Sequence, residues 1–144
     1  MADRLTVVLD TNALLVAIPT RSPHRVVLDA LFAGVYDAFI STDTMMEYAE
    51  KMTEFFDEEV TEAILGGLLL LPNVYKTDIY FNMGLIHVDE DDNKFVDCAF
   101  SANVQYIVTN DRHFNVLQNY DFPKLNLIRI EAFTKMLTSL QSER

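Results

Sequence analysis

The chain predicts an α/β fold, a three-layer α/β/α sandwich around a mainly parallel central sheet. Leu5–Leu9 is aliphatic or β-branched on both faces, as a strand buried in a parallel sheet must be. Segments with helical spacing separate it from three further short apolar runs, and strands alternating with helices predict parallel pairing. A length of 144 residues suits one domain, 1–144, with a single sizeable core.

In chain order, a short helix is expected from about Asn12 and must end before Pro19. SPHRVVLDALF starts with a serine cap and places Pro23 at the first helical position. Tyr36–Ile40 reads as the second strand. STDTMMEYAEKMTEFF reads as a helix with a polar start and an apolar stripe at Met45, Tyr48, Ala49, Met52 and Phe56. Asp57–Leu71 is a further helix with acids in its first turn, ended by Pro72-Asn73. Val74–Ile86 is ambiguous between a short strand and a turn around Asn82–Gly84. Asp91–Asn103 is helical, Tyr106–Val108 a buried strand, Asp111–Val116 a helical turn, Leu127–Ile130 the last strand and Glu131–Leu140 the closing helix.

No apolar run approaches the ~20 residues needed to cross a bilayer, and the N-terminus has no signal-peptide pattern. The only cysteine, Cys98, lies among Phe95, Val96 and Ala99, which suits buried packing in a reducing cytoplasm. A formal charge of −11, from 11 basic and 22 acidic residues, lacks the basic footprint of a nucleic-acid binder. Either the acids mark a metal site plus a solvated surface, or nucleic acid is not the ligand; the charge alone favours the second.

Asp10, Glu47, Asp92 and Asp111 are the acids with a reason to meet. Ligands of parallel sheets bind beyond the carboxyl ends of the strands, where Asp10 and Asp111 each close a predicted strand. Glu47 lies early in the helix that follows the second strand. Asp92 falls about 60° from the core-facing direction of its helix, whereas Asp97 falls roughly 160° away, toward solvent. Such converging hard oxygens suit Mg²⁺ or Mn²⁺. Two carboxylates ~5 Å apart repel by about 3 kcal/mol at an effective dielectric of ~20, so a cation or a proton must relieve the cluster.

Together these segments resemble the PIN domain, the fold of VapC-type toxin ribonucleases. Asp10-Thr11-Asn12 after a hydrophobic strand is similar to the opening motif, and Glu47 stands at the second acidic position. Asp89–Phe95 is similar to the third motif, with Asp92 as its acid, in the form found in a subgroup of PIN-family toxins. Val108-Thr109-Asn110-Asp111 resembles the fourth, and IRIEAFTKML resembles that subgroup's final strand and helix. Asn110 stands where glycine is frequent. The resemblance implies a metal-dependent endoribonuclease, with Asp10, Asp92 and Asp111 as metal ligands and Glu47 as a further ligand or water-orienting group. One or two Mg²⁺ or Mn²⁺ ions would generate hydroxide for in-line attack on a phosphodiester. Thr11, Asn12 and Thr109 would hold the acids and waters by hydrogen bonds. The implied partners are an RNA substrate, an antitoxin protein covering the site and a second copy in a homodimer, with no membrane.

Each residue also has a plainer reading. Asp10 and Asp111 alone are ordinary strand-end turn residues, Asn12 a cap, Thr109 a strand-end residue and Glu47 a solvated helix acid. Asp43, Asp89 and Asp91 read as helix-start acids favoured by the dipole. Candidate RNA contacts are Arg21, His24 and Arg25 after the first helix, and Lys94, Arg112 and His113 near the third and fourth motifs. The alternative to a nuclease is a non-catalytic scaffold acting as a protein- or RNA-binding module. A phosphoaspartate phosphatase, as in haloacid-dehalogenase-like proteins, needs a second aspartate where Asn12 stands.

Overall fold

The computed structural model describes residues 4–80, 82–86, 92–120 and 124–142. Its strands are β1 (Thr6–Leu9), β2 (Asp37–Ile40), β3 (Val74–Lys76), β4 (Tyr106–Val108) and β5 (Leu127–Ile128). They pair in parallel in the order β3-β2-β1-β4-β5, with Val7 opposite both Ala38 and Tyr106. The helices are α1 (Thr11–Ala17), α2 (Arg25–Phe32), α3 (Thr42–Phe55), α4 (Glu58–Leu69), α5 (Asn93–Ala102) and α6 (Ile130–Ser142), with a 3₁₀ helix over Arg112–Asn119. The predicted parallel α/β architecture is therefore the observed one.

The chain builds outward from β1 to β3 in one direction, then returns to place β4 and β5 on the other side of β1. Right-handed crossovers put the β1–β2 connection, α1 and α2, and the β3–β4 connection, α5, on opposite faces. α5 packs on β1, β2 and β4, while α2 packs on α1 and α6. Val7, Val8, Ile107 and Val108 are wholly buried between these layers, with Phe95, Val96 and Cys98 from α5. Tyr36 is buried with its hydroxyl satisfied: it donates to the Val27 carbonyl at 2.6 Å, and its ring meets Phe133 edge-on at 5.2 Å. Among the described residues no helix is long and apolar enough to cross a membrane.

Several local expectations shift. α2 starts at Arg25, not at Pro23, because Ser22 closes a turn instead of capping the helix: its hydroxyl accepts from the His24 N–H at 3.0 Å. Phe56, expected in the apolar stripe of α3, follows the helix as its C-cap and is exposed. The ambiguous 74–86 stretch contains β3, and in the described segment 82–86 Gly84 takes a left-handed φ of +60°. β5 ends at Ile128 so that α6 can start at Ile130. Asp97 is the clearest correction. It is buried, not solvent-facing, because the 82–86 segment lies across that face of α5 and the Met83 N–H donates to Asp97 Oδ1 at 2.8 Å. Asp89 and Asp91 lie outside the described residues.

Candidate functional site

The strand order reverses between β1 and β4. At such a switch point the loops leaving two neighbouring strands diverge to opposite faces, opening a crevice at the carboxyl edge. Asp10 and Asp111 leave those two strands. The Asp10 N–H donates to Val108 at 3.0 Å, so β1 and β4 stay paired to the point where the acids emerge. Asp10 then leads α1, its carbonyl accepting from Leu14 at 3.1 Å.

Thr109 links the two acids. Its hydroxyl donates to Asp10 Oδ2 at 2.8 Å and accepts from the Asp111 N–H at 3.0 Å. Asp10 is only 6% exposed, and burial pushes its carboxyl up to about 6. The hydrogen bonds from Thr109 and the Thr11 backbone oppose that rise, while the charges of Asp111 and Glu47 add to it. Through Thr109 and Thr11, Asp10 thus lies in the same neighbourhood as Asp111 and Glu47.

Glu47 arrives on α3, whose start is fixed by a reciprocal cap. Ser41 Oγ accepts from the Thr44 N–H at 3.2 Å, and Thr44 Oγ1 accepts from the Ser41 N–H at 2.9 Å. One residue beyond Glu47, the buried Tyr48 donates its hydroxyl to the Leu9 carbonyl and ties α3 to the end of β1. Glu47 is no solvated helix acid. Its Oε2 accepts from the Thr11 hydroxyl and its Oε1 from Lys94 Nζ at 2.8 Å. Both oxygens therefore have protein donors.

Asp92 precedes α5 but makes no side-chain cap bond. Its Oδ2 lies 3.7 Å from His113 Nδ1, which is 3.4 Å from Asp111 Oδ1. Asp111 Oδ1 also accepts from the His113 N–H at 2.9 Å, fixing the start of the 3₁₀ helix. Donor atoms of Asp92, Asp111 and His113 all lie within 4.8 Å of one another, close enough to hold one metal ion. His113 Nδ1 is buried with no hydrogen-bond partner, the state of a nitrogen that a cation would satisfy.

The four predicted acids therefore gather at one edge in two groups: Asp92 and Asp111 with His113, and Asp10 and Glu47 held by Thr109, Thr11 and Lys94. Asn12 and His24 line a cleft against Asp111. Arg112 is exposed next to Asp111, whereas Arg25 is committed to Asp29 at 3.0 Å and to the Ile18 carbonyl. Sequence reasoning read His113 as a basic RNA contact and missed it as a donor; the available signal was a histidine two residues after the last acid. Asn110, the departure from the glycine pattern, clips β4 to α6. It accepts from the Ile130 N–H at 2.9 Å and donates to Glu131 at 2.8 Å, work that glycine cannot do.

The PIN domain profile matches residues 6–113, three quarters of the chain. The chain belongs to the PIN domain family. Two solved structures share its fold. VapBC2 from Rickettsia felis, bound to a promoter DNA fragment, is 19% identical with a TM-score of 0.58, over 87% of this chain and 98% of that one. DNA-bound VapBC from Salmonella typhimurium is 20% identical with a TM-score of 0.59, over 88% and 98%. No match is found among curated proteins. The matched segment of this PIN domain includes all four acids and His113.

Proposed function

We propose that this PIN domain is a divalent-metal-dependent endoribonuclease and the toxin of a toxin–antitoxin pair. The observation that carries the reading is the donor triad Asp92, Asp111 and His113 beside the buried, proton-hungry Asp10. Asp92, Asp111 and His113 would hold the ion, with Asp10 completing its surroundings. A bound divalent ion supplies charge neutralisation at a phosphodiester and a lowered water pKa. An imidazole donor shifts the preference from Mg²⁺ toward Mn²⁺, which accepts nitrogen more readily. Thr109 holds Asp10 and the Asp111 backbone in fixed relation, and Lys94 with Thr11 keeps Glu47 oriented at the edge of the site. Glu47, with both oxygens engaged, fits a water-orienting role better than a direct ligand.

The protein partner would be an antitoxin covering the acidic edge, by analogy with the two VapBC assemblies, and a homodimer is the expected state of the chain itself. Cleavage of labelled single-stranded RNA with Mn²⁺, with Asp10→Asn and Asp92→Asn variants alongside, tests the activity. Wild-type cleavage lost in both variants supports it; equal cleavage by all three would trace the activity to a contaminant. The charge of −11 favours a second reading, a non-catalytic scaffold working through protein contacts. Absence of cleavage alongside a stable antitoxin complex would favour that one.

A further inference from the structure

Next to the acids, between α1, the start of α6 and the end of β4, lies an open cleft of about 370 Å³. Its walls include Ala13, Val16 and Ile130, and Asn12, His24 and Asp111 give it polar edges. The volume is at the small end for ligand pockets, enough for one ring system with its substituents.

The charge distribution limits what can enter. Among the described residues, Asp111 is the one acidic side chain lining the cleft, and no lysine or arginine lines it. An anion such as a phosphate is therefore disfavoured, and an uncharged planar group with apolar faces and polar edges is admitted. Two of the polar groups are placed to read such edges. The Asn12 side chain is exposed and makes no hydrogen bond among the described residues, so its amide offers a donor and an acceptor together. His24 Nδ1 is held by Thr134 Oγ1 at 2.9 Å, which orients the ring and leaves Nε2 for a ligand. Asn110 is tied to Ile130 and Glu131, so its side chain is fixed in place and shapes the wall.

We infer that this cleft receives one unstacked nucleobase of single-stranded RNA, adjacent to the phosphodiester held at the acidic site, with Asn12 and His24 reading its edge. The inference deepens the ribonuclease reading and rests on it. A base reaches such a cleft only when splayed out of its stack, which favours single-stranded loops and ends over paired RNA. Asn12 thereby takes a role different from the acid-supporting one its motif position implies.

The test separates the cleft from the chemistry. The four uncharged nucleosides, with ribose as control, are titrated against the isotopically labelled full chain in chelator, following the His24 ring and the α1 amides by NMR. At least one nucleoside is expected to shift these signals at millimolar concentration, and ribose none. Val16→Trp, which fills the cleft, should abolish the shifts. Asn12→Ala should weaken the preferred nucleoside roughly tenfold, the loss expected for one good amide–base pair. The same variants are scored on a randomised single-stranded RNA with Mn²⁺, where Asn12→Ala should flatten the base preference flanking the cut. No shift by any nucleoside overturns the inference, as do shifts that persist in Val16→Trp or shifts only by arginine or phenylalanine amides, which would assign the cleft to a protein partner. Nucleoside binding without RNA cleavage would leave the cleft standing and remove the nuclease reading. If Val16→Trp does not fold, Asn12→Ala decides alone.

Discussion

Neutralising Asp10 should stabilise the metal-free protein, and by an amount that depends on pH. Burial raises this carboxyl from its ordinary value of 3.8 to about 6, so the folded state resists ionising it. A raised acid costs nothing below its unfolded value, because both states are protonated. The cost grows as pH rises from 3.8 through about 6 and is complete above that. At 1.36 kcal/mol per pH unit, the full cost is about 3 kcal/mol. Asp10→Asn removes the charge while its carbonyl oxygen can still accept from the Thr109 hydroxyl. In chelator at pH 8 the variant should melt higher, by at most about 9 °C, taking roughly 3 °C per kcal/mol at this chain length. Near pH 4 the two proteins should melt together. Thermal denaturation by circular dichroism across pH 4–8.5 measures the gap directly. A gap of constant size, or a variant less stable at every pH, would show that burial does not penalise the Asp10 charge, contrary to this prediction. Adding Mn²⁺ should close the gap from the wild-type side, since only the wild type regains what the ion neutralises.

Four further outcomes are expected. Saturating Mn²⁺ at ~100 times its dissociation constant should stabilise the wild type by about 2.7 kcal/mol, and His113→Ala should lose most of this, read as a melting shift with and without chelator. Lys94→Met leaves Glu47 without its charged partner and should cost about 1–2 kcal/mol in chelator, a loss that Mn²⁺ does not selectively restore; recovery with Mn²⁺ would instead make Glu47 a direct ligand. Asn93→Ala removes both hydrogen bonds to the Ile86 backbone, at 2.8 Å each, and should speed proteolysis within 82–86 while global melting falls by about 1–2 kcal/mol. RNA binding should weaken only gently with salt, with a log–log slope no steeper than about −2, as expected for ~3 phosphates on a single strand.

The strand pattern carried most of the architecture because a parallel sheet buries both faces, and two-sided burial leaves a plain mark in Val7, Val8, Ile107 and Val108. The placement of Asp10 and Asp111 followed from strand ends alone. Glu47 was legible from its place early in the helix after the second strand, and Asp92 only through helical phase, which sets a direction but not what lies along it. Phase failed for Asp97: the helix does turn it away from Phe95 and Ala99, but a loop whose sequence has no periodicity covers that side. The partners of each acid were also beyond reach. Nothing local in DNKFVD says that Lys94 reaches back to α3, or in NDRHF that His113 folds over its own neighbour. Those contacts depend on crossover geometry between segments up to 47 positions apart.

The net charge takes on a different meaning once the acids are placed. Spread over six pairs, the repulsion of four ionised carboxylates would rival the ~5–15 kcal/mol that holds a domain of this size together. The structure divides that load. Lys94 neutralises Glu47, Asp10 is inclined to keep its proton, and the imidazole of His113 sits between Asp92 and Asp111. What remains for a cation is a pair of carboxylates and a nitrogen, a site of ordinary strength. The rest of the acidic excess cannot help an anionic substrate approach, so affinity must come from short-range contacts at the site and not from a basic surface. On the proposed reading, catalysis would depend on the ion and on uncharged contacts to the substrate, and the cleft beside Asp111 is where such contacts are available.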